Sequence, residues 1–243
     1  QLAPQSISCV AISDDDNTIA IGSRDGQIQY WRPKTNILIS ETTLSKECIS
    51  FMHFIGEKTI FIGYDSGILE CRNKDTSTLY WQYQFTSVRL TKCTTSLDEQ
   101  LLAIGGYDGK IYVLAADTGK IMTQFSVHTK QISSLFFNHS GTLLHAASMD
   151  GSISTWSKET DQVWYKTVSD DNLSYHILHP DGIQWATGHL NGDIRLWNRY
   201  KFSEPSMDVA KITTVTCSES YQWFLSGDML GKVHLWNQDT TFS

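Results

Sequence analysis

The chain is short of charge, of proline and of long apolar stretches. Charged residues make up 19% of its 243 positions, and 26 acids against 19 Lys and Arg leave a net charge of -7. Such a chain repels a phosphate backbone unless a local basic patch overrides the sum, so nucleic acid is not the expected partner. The longest apolar runs, Leu101 to Gly106 and Ile111 to Ala116, are far shorter than the roughly 20 residues that span a bilayer as a helix, so no membrane segment is expected. No basic, apolar and small-residue succession of a signal peptide is present, and the opening on Gln1 rather than Met reads as a piece excised from something longer. Five cysteines, Cys9, Cys48, Cys71, Cys93 and Cys217, lie at least 22 residues apart. That spacing fits neither a disulfide framework nor a zinc knuckle and points to a reducing, cytoplasmic setting. The close pair His176 and His179 falls in a strand-like segment, where residues three apart face opposite sides, so no metal site is expected.

What the chain does have is a core and a repeat. Hydrophobic residues at 40% and aromatics at 12% exclude disorder and suffice for one large all-β domain or two ordinary ones. Glycines recur at Gly26, Gly67, Gly109, Gly151, Gly192 and Gly231, at intervals of 41, 42, 42, 41 and 39 residues, the period of one propeller blade. Around them Ile19 to Trp31, Ile60 to Arg72, Leu102 to Leu114, Leu144 to Trp156, Trp185 to Trp197 and Phe224 to Trp236 alternate as half-buried hairpins. Asp25, Asp108, Asp150 or Asn191 stands before the glycine that supplies the positive φ of a tight turn. A first strand opens upstream at Ile7, Ile49, Leu90, Ile132, Leu173 and Ile212, and a fourth apolar stretch follows the aromatic tip, as in Ile37 to Ser40. The expected fold is therefore an all-β propeller of six four-stranded blades over a single domain 1–243. The blades fall at about 1–46, 47–86, 87–127, 128–168, 169–209 and 210–243. Thr240 to Ser243, or the residues before Ile7, would supply a last strand, although Pro4 suits only an outer edge. The ring is either six-bladed or completed by a blade outside this segment in a seven-bladed ring or larger array.

These residues resemble the WD-repeat β-propellers over nearly the whole chain. That family carries an internal set of a His before the first strand, a Ser or Thr on the second, an Asp in the turn and a Trp on the third. One unit holds all four, as His128, Ser148, Asp150 and Trp156, and the first matches at Ser23, Asp25 and Trp31. The second unit departs from the pattern at Ser66 and Arg72, the third at Gly106 and Leu114. No Trp is followed by the Asp of the family dipeptide, so the chain is similar to a divergent member with blades of uneven stability.

Candidate chemistry reduces to scaffold. The turn acids serve local backbone bonding, and the Trp series at blade period serves packing between sheets. Leu114 to Lys120 resembles the docking segment of quinoprotein propeller dehydrogenases but occurs once. No Ser-His-Asp order, phosphate loop or carboxylate pair is present, so no enzyme, cofactor or metal is expected. The resemblance implies that the face bearing the tight turns binds a protein or peptide partner, or other domains of the same parent chain. The residues projecting there are Arg24, Asp65, Tyr107, Met149, Leu190 and Met229, rich in the large adaptable side chains of interfaces. The expected role is a scaffold or regulatory propeller in a larger intracellular protein. An alternative is the ligand-sensing, autoinhibitory propeller of apoptotic protease-activating ATPases, which the first unit resembles, and a third is a quinoprotein-type enzyme.

Overall fold

Every regular element among the described residues is a strand; the computed structural model describes residues 6–86, 88–167, 173–178, 184–189, 194–198, 202–203, 212–217 and 223–237. The strands form six antiparallel meanders in chain order. The first comprises β1 (Ile7–Ile12), β2 (Ile19–Ser23), β3 (Gln27–Arg32) and β4 (Ile37–Thr43), and the second β5 (Ile49–Ile55), β6 (Thr59–Tyr64), β7 (Ile68–Asn73) and β8 (Leu79–Gln84). The third holds β9 (Leu90–Thr95), β10 (Leu101–Gly106), β11 (Ile111–Ala115) and β12 (Ile121–Phe125). The fourth holds β13 (Ile132–Phe137), β14 (Leu143–Ser148), β15 (Ser152–Ser157) and β16 (Val163–Thr167). The fifth has β17 (Leu173–Leu178), β18 (Gln184–His189), β19 (Ile194–Asn198) and a short β20 (Phe202–Ser203), and the sixth β21 (Ile212–Cys217), β22 (Trp223–Asp228) and β23 (Val233–Asn237). Five sheets are thus four-stranded, as the repeat predicts. The sixth has three described strands, and the fourth expected there, at Thr240 to Ser243, lies outside the described residues, as does Pro4.

Two compact units hold three sheets each, Gln1–Phe125 and Ser126–Ser243. In the N-terminal unit β5 lies against β1 and β9 against β5, so the second sheet is covered on both faces. Ile60, Ile62 and Tyr64 of β6 join Ala20, Ile28 and Tyr30 of the first sheet in one core, while Phe61 packs with Leu102, Ile104 and Leu114 of the third in another. Burial on both faces is why β6 reads as an unbroken apolar run rather than an alternation. In the C-terminal unit β17 lies against β13 and β14, and β21 against β17 and β18.

Two devices recur from sheet to sheet. Five turn glycines have φ near 80°, at Gly26, Gly67, Gly109, Gly151 and Gly231, and each donates its N–H to the carbonyl three residues back, at 3.0–3.3 Å. The preceding residue, Asp25, Ser66, Asp108, Asp150 or Leu230, keeps an ordinary φ, which makes the connection a type I turn closed by a left-handed glycine. Gly192 lies outside the described residues. The chain then returns over the turn. Leu44 N–H donates to Gly26 O at 3.3 Å and Phe85 N–H to Gly67 O at 2.9 Å, and a Cβ at Gly67 would stand 2.6 Å from Val88 O and 2.8 Å from Phe85 O.

The second device is absent from the sequence reading. All six pairings of first with second strand shift register at the second residue of the first strand, so Ser8, Ser50, Thr91, Ser133, Ser174 and Thr213 are each an extra residue at a bulge. A bulge leaves a carbonyl of the partner strand without its ladder donor. The hydroxyls replace that donor: Ser8 donates to Gly22 O at 3.2 Å, Thr91 to Gly105 O at 3.0 Å, Ser133 to Ala147 O at 3.2 Å and Thr213 to Gly227 O at 3.0 Å. Ser50 departs from the pattern and donates instead to the turn carboxylate of Asp65.

The polar set expected at His128 is built on different bonds. The ring nitrogens of His128 meet Ser152 Oγ at 2.7 Å and Ser154 Oγ at 2.8 Å, and Nδ1 lies 3.8 Å from Asp150 Oδ1. The Ser152 hydroxyl proton is committed to Asp150, so His128 Nδ1 carries the ring proton and Nε2 accepts from Ser154. Asp150 also accepts from Thr129 N–H at 2.6 Å, while Ser148 donates to Lys130 O at 2.9 Å and Trp156 Nε1 turns away to Asp161 at 2.7 Å. The second sheet substitutes another set at the same positions. Glu70 accepts from Tyr64 Oη at 2.9 Å and is gripped by Arg72 at 2.7 and 3.0 Å, and Arg72 also reaches Ser77 O at 2.8 Å. The third sheet drops the set, with Leu114 fully buried. Here the segment Leu114 to Lys120 holds Trp81 from the neighbouring sheet: the indole N–H donates to Ala116 O at 3.1 Å, and a Cβ at Gly119 would fall 2.5 Å from the ring.

Two outcomes follow for stability. At Gly231 no atom lies within 4 Å of an added Cβ, whereas at Gly67 two backbone carbonyls do. Gly67→Ala should therefore cost on the order of 3 kcal/mol and Gly231→Ala about 1 kcal/mol, read from urea midpoints. Equal costs would contradict the close approach. Burial pushes His128 and His145 from 6.5 down to about 4. The unfolded chain takes up protons from pH 6.5 downward and the folded chain resists until about pH 4. Stability is therefore complete above pH 6.5 and is lost as the pH falls toward 4, by a few kcal/mol per group. His128→Ala should cost about 1–3 kcal/mol at pH 7.5, more than His53→Ala, whose ring bonds only Thr95 and is partly exposed. It should also reduce the acid-induced loss by about half, which urea midpoints at several pH values measure.

Candidate interaction surface

The turns between second and third strands place one residue each at the same end of successive sheets. The backbone N–H of Arg24 donates to Ser6 O at 3.0 Å, that of Asp65 to Cys48 O at 3.0 Å, that of Tyr107 to Arg89 O at 2.8 Å and that of Met149 to Gln131 O at 3.0 Å. In each case the acceptor immediately precedes the first strand of the same sheet. The side chains thus stand on a pinned backbone, which lowers the ordering cost of binding there. In the N-terminal unit this brings Arg24, Asp65 and Tyr107 onto one end of three stacked sheets. In the C-terminal unit Met149 and Met229 hold the corresponding turns, and Leu190 lies outside the described residues.

The two units present different chemistry. Tyr107 is 56% exposed, Met229 64% and its neighbour Leu230 72%. The Met229 turn is braced by Asp228, whose carboxylate accepts from the N–H groups of Leu230 and Lys232 at 2.9 Å each. Met149 is half-buried and its sulfur receives the Gln131 amide. The N-terminal unit is charged: Arg89 Nε grips Asp65 Oδ1 at 2.9 Å and Ser50 donates to the same oxygen. Arg89, Ser50 and Leu230 escaped the sequence reading. Arg89 had a signal, because it occupies in its unit the position that Ser6, Cys48 and Gln131 hold in theirs.

The turn acids are occupied locally. Asp25 accepts from Ser23 at 2.5 Å, and Asp108 from Lys110 N–H at 3.1 Å with Lys110 Nζ at 3.4 Å. Burial raises the Cys9 thiol to about 11 and Cys71 to about 12, and raises Cys48 with help from Asp65, so these thiols stay protonated and poorly nucleophilic. Among the described residues no three His, Cys, Asp or Glu side chains gather as a metal site, and the side chains of His176 and His179 lie outside them. No helix of the described chain is long and apolar enough to cross a membrane.

Comparison with known proteins places this geometry. Residues 3–32 match the family described as WD domain, G-beta repeat, and residues 60–140 match the anaphase-promoting complex subunit 4 WD40 domain. Apoptotic protease-activating factor 1 of Rattus norvegicus is 24% identical over 79% of this chain and 15% of its own length. U3 small nucleolar RNA-associated protein 21 of Saccharomyces cerevisiae is 27% identical over 82% of this chain and 22% of its own. Protein ROOT INITIATION DEFECTIVE 3 of Arabidopsis thaliana reaches 31% over 72% and 42%. The chain spans less than half the length of each of these relatives. Antiparallel WD-type sheets at blade period, turn glycines at positive φ and two family matches along the chain together support membership in the WD40-repeat β-propeller family.

Proposed function

We propose that the chain is a non-enzymatic interaction module of a larger protein and takes a protein or peptide partner on its turn surface. The observation that carries this reading is the run of turns in homologous positions, pinned through the backbone at Arg24, Asp65, Tyr107 and Met149 and braced by the Asp228 carboxylate beside Met229, with Tyr107, Met229 and Leu230 more than half exposed. Large apolar and aromatic side chains displayed on a rigid backbone are the usual anchors of protein interfaces. The family match supports a binding role, since WD40 domains serve generally as interaction platforms. The four described cysteines are free, which supports a reducing compartment. A regulatory, autoinhibitory role is the second reading, and the similarity to the apoptotic protease-activating factor favours it.

Replacing Tyr107, Met149 and Met229 together with Ser tests the first reading, because Tyr107 and Met229 are exposed and Met149 half-buried and none belongs to a core cluster. Affinity for a partner captured with the parent protein should fall roughly tenfold or more, while the thermal midpoint stays within a few degrees of the parent. Unchanged affinity would move the partner site elsewhere.

A further inference from the structure

The fourth strand of a sheet is its open edge, and these edges are not alike. In the first three sheets the outer pairing shifts register near the start of the edge strand, between Leu38 and Ser40 of β4, Leu79 and Trp81 of β8, and Ile121 and Thr123 of β12. Ile39, Tyr80 and Met122 are therefore extra residues at a bulge. A bulge breaks the row of main-chain donors and acceptors and bends the strand, which is one way sheets keep a further strand from adding to an edge. The fourth sheet has no such shift: Val163, Trp164, Tyr165, Lys166 and Thr167 of β16 face Trp156, Thr155, Ser154, Ile153 and Ser152 in unbroken register. Val163–Thr167 is one residue shorter than Leu38–Thr43 against the same length of third strand, so Trp164 takes a ladder place where Ile39 is bulged out. Among the described residues no strand pairs with the outer side of β16. Residues opposite one another in a ladder share a face. Tyr165 stands on the face of Ser154 with its ring centroid 5.7 Å from that of His128, and Trp164 on the face of Thr155. They are 47% and 50% exposed, so this regular edge displays one large aromatic on each face.

We propose that the β16 edge is a second binding site, which takes an extended peptide strand in backbone register with Val163–Thr167 and holds its side chains against Trp164 on one face and Tyr165 on the other. The edge itself selects the occupant. Main-chain N–H and C=O groups repeated at strand spacing are matched by another strand, whose own main chain supplies the complementary row. At about 3.3 Å per residue the five residues offer roughly 16 Å of edge, enough to pair a short segment along its length. The ladder supplies affinity for any extended chain, and the aromatics favour β-branched or aromatic residues opposite them. The contact between Tyr165 and the buried His128 ring holds the tyrosine in place before a ligand arrives. This site uses main-chain groups at a sheet edge and not side chains on the turns, so it goes beyond the turn-surface reading and does not depend on it.

Fluorescence anisotropy on the full chain tests this with a short labelled peptide alternating Val with Thr and a counterpart in which two adjacent central residues are Pro. The first peptide should bind roughly tenfold more tightly, because proline removes ladder donors on both edges of the peptide. On binding, hydrogen exchange should slow at the amides of β16 and stay unchanged in β4, β8 and β12. Inserting one Thr between Val163 and Trp164 restores the length of the bulged edges and should weaken the peptide roughly tenfold, with the thermal midpoint within a few degrees of the parent. Trp164→Lys keeps the ladder, removes one aromatic and places a charge on the edge; it should weaken binding to a similar degree and carries the test if the insertion unfolds the sheet. Equal binding of the two peptides, slowed exchange in β4, β8 or β12 instead of β16, or full affinity in either folded variant would each overturn the assignment. Self-association of the chain that Trp164→Lys abolishes would overturn the peptide in favour of a second copy at the same edge. The variant with Ser at Tyr107, Met149 and Met229 should bind the peptide as the parent does, and loss of the peptide there would overturn a separate edge site.

Discussion

The closest backbone approach in the repeat lies at the turn glycine, and the rest of the sheet geometry is organised around it. At Gly26 and Gly67 the glycine's left-handed φ closes the second and third strands, its carbonyl receives the first N–H after the fourth strand, and its missing side chain leaves room for the carbonyls of the link into the next sheet. One residue type thus meets three constraints at once, and only glycine meets them without strain. The left-handed turn itself recurs in five of the sheets, at Gly26, Gly67, Gly109, Gly151 and Gly231. The 39 to 42 residue period is the trace of that turn in the sequence.

Around this invariant the sheets differ in how they satisfy buried polar groups. The fourth sheet seats a neutral histidine among hydroxyls and an Asp, the second uses a Tyr–Glu–Arg set in the same places, and the third fills them with apolar side chains and takes a Trp from its neighbour. Each solution leaves its buried groups paired, the condition under which a polar network is tolerated inside a sheet stack. The bulge hydroxyls do the same work at the penultimate residue of the second strand, beside the turn. Because Ser50 gives its proton to Asp65 instead of to a strand carbonyl, the second sheet ties its bulge to the exposed turn end. The scaffold device and the charged cluster meet at that one side chain.

The turns of the two units differ in chemistry. The N-terminal turns carry Arg24, the Asp65–Arg89 pair and Tyr107, and the C-terminal turns carry a half-buried Met149 and the more than half exposed Met229 and Leu230. Electrostatic contacts orient and select a partner, and flexible apolar contacts adapt to it, so the two surfaces are suited to different parts of a recognition event.

The six-fold repeat, the strand order and the positive φ at the glycines were legible in the sequence, because alternation and turn chemistry are local and depend on residues within a few positions of one another. The projecting turn residues were legible for the same reason: their place in the repeat fixes the backbone they stand on. The bonding of those residues was not. Whether Asp65 faces a partner or Arg89, whether Trp156 reaches Asp150 or Asp161, and whether Leu114 to Lys120 is a plain link or the seat of Trp81 depend on side chains from 5 to 35 residues away. The bulge serines and threonines lay in view, yet a hydroxyl in a strand says nothing by itself about the register of the strand beside it. Pairing across sheets is decided by the stacking of whole layers, and that information exists only once the chain has folded.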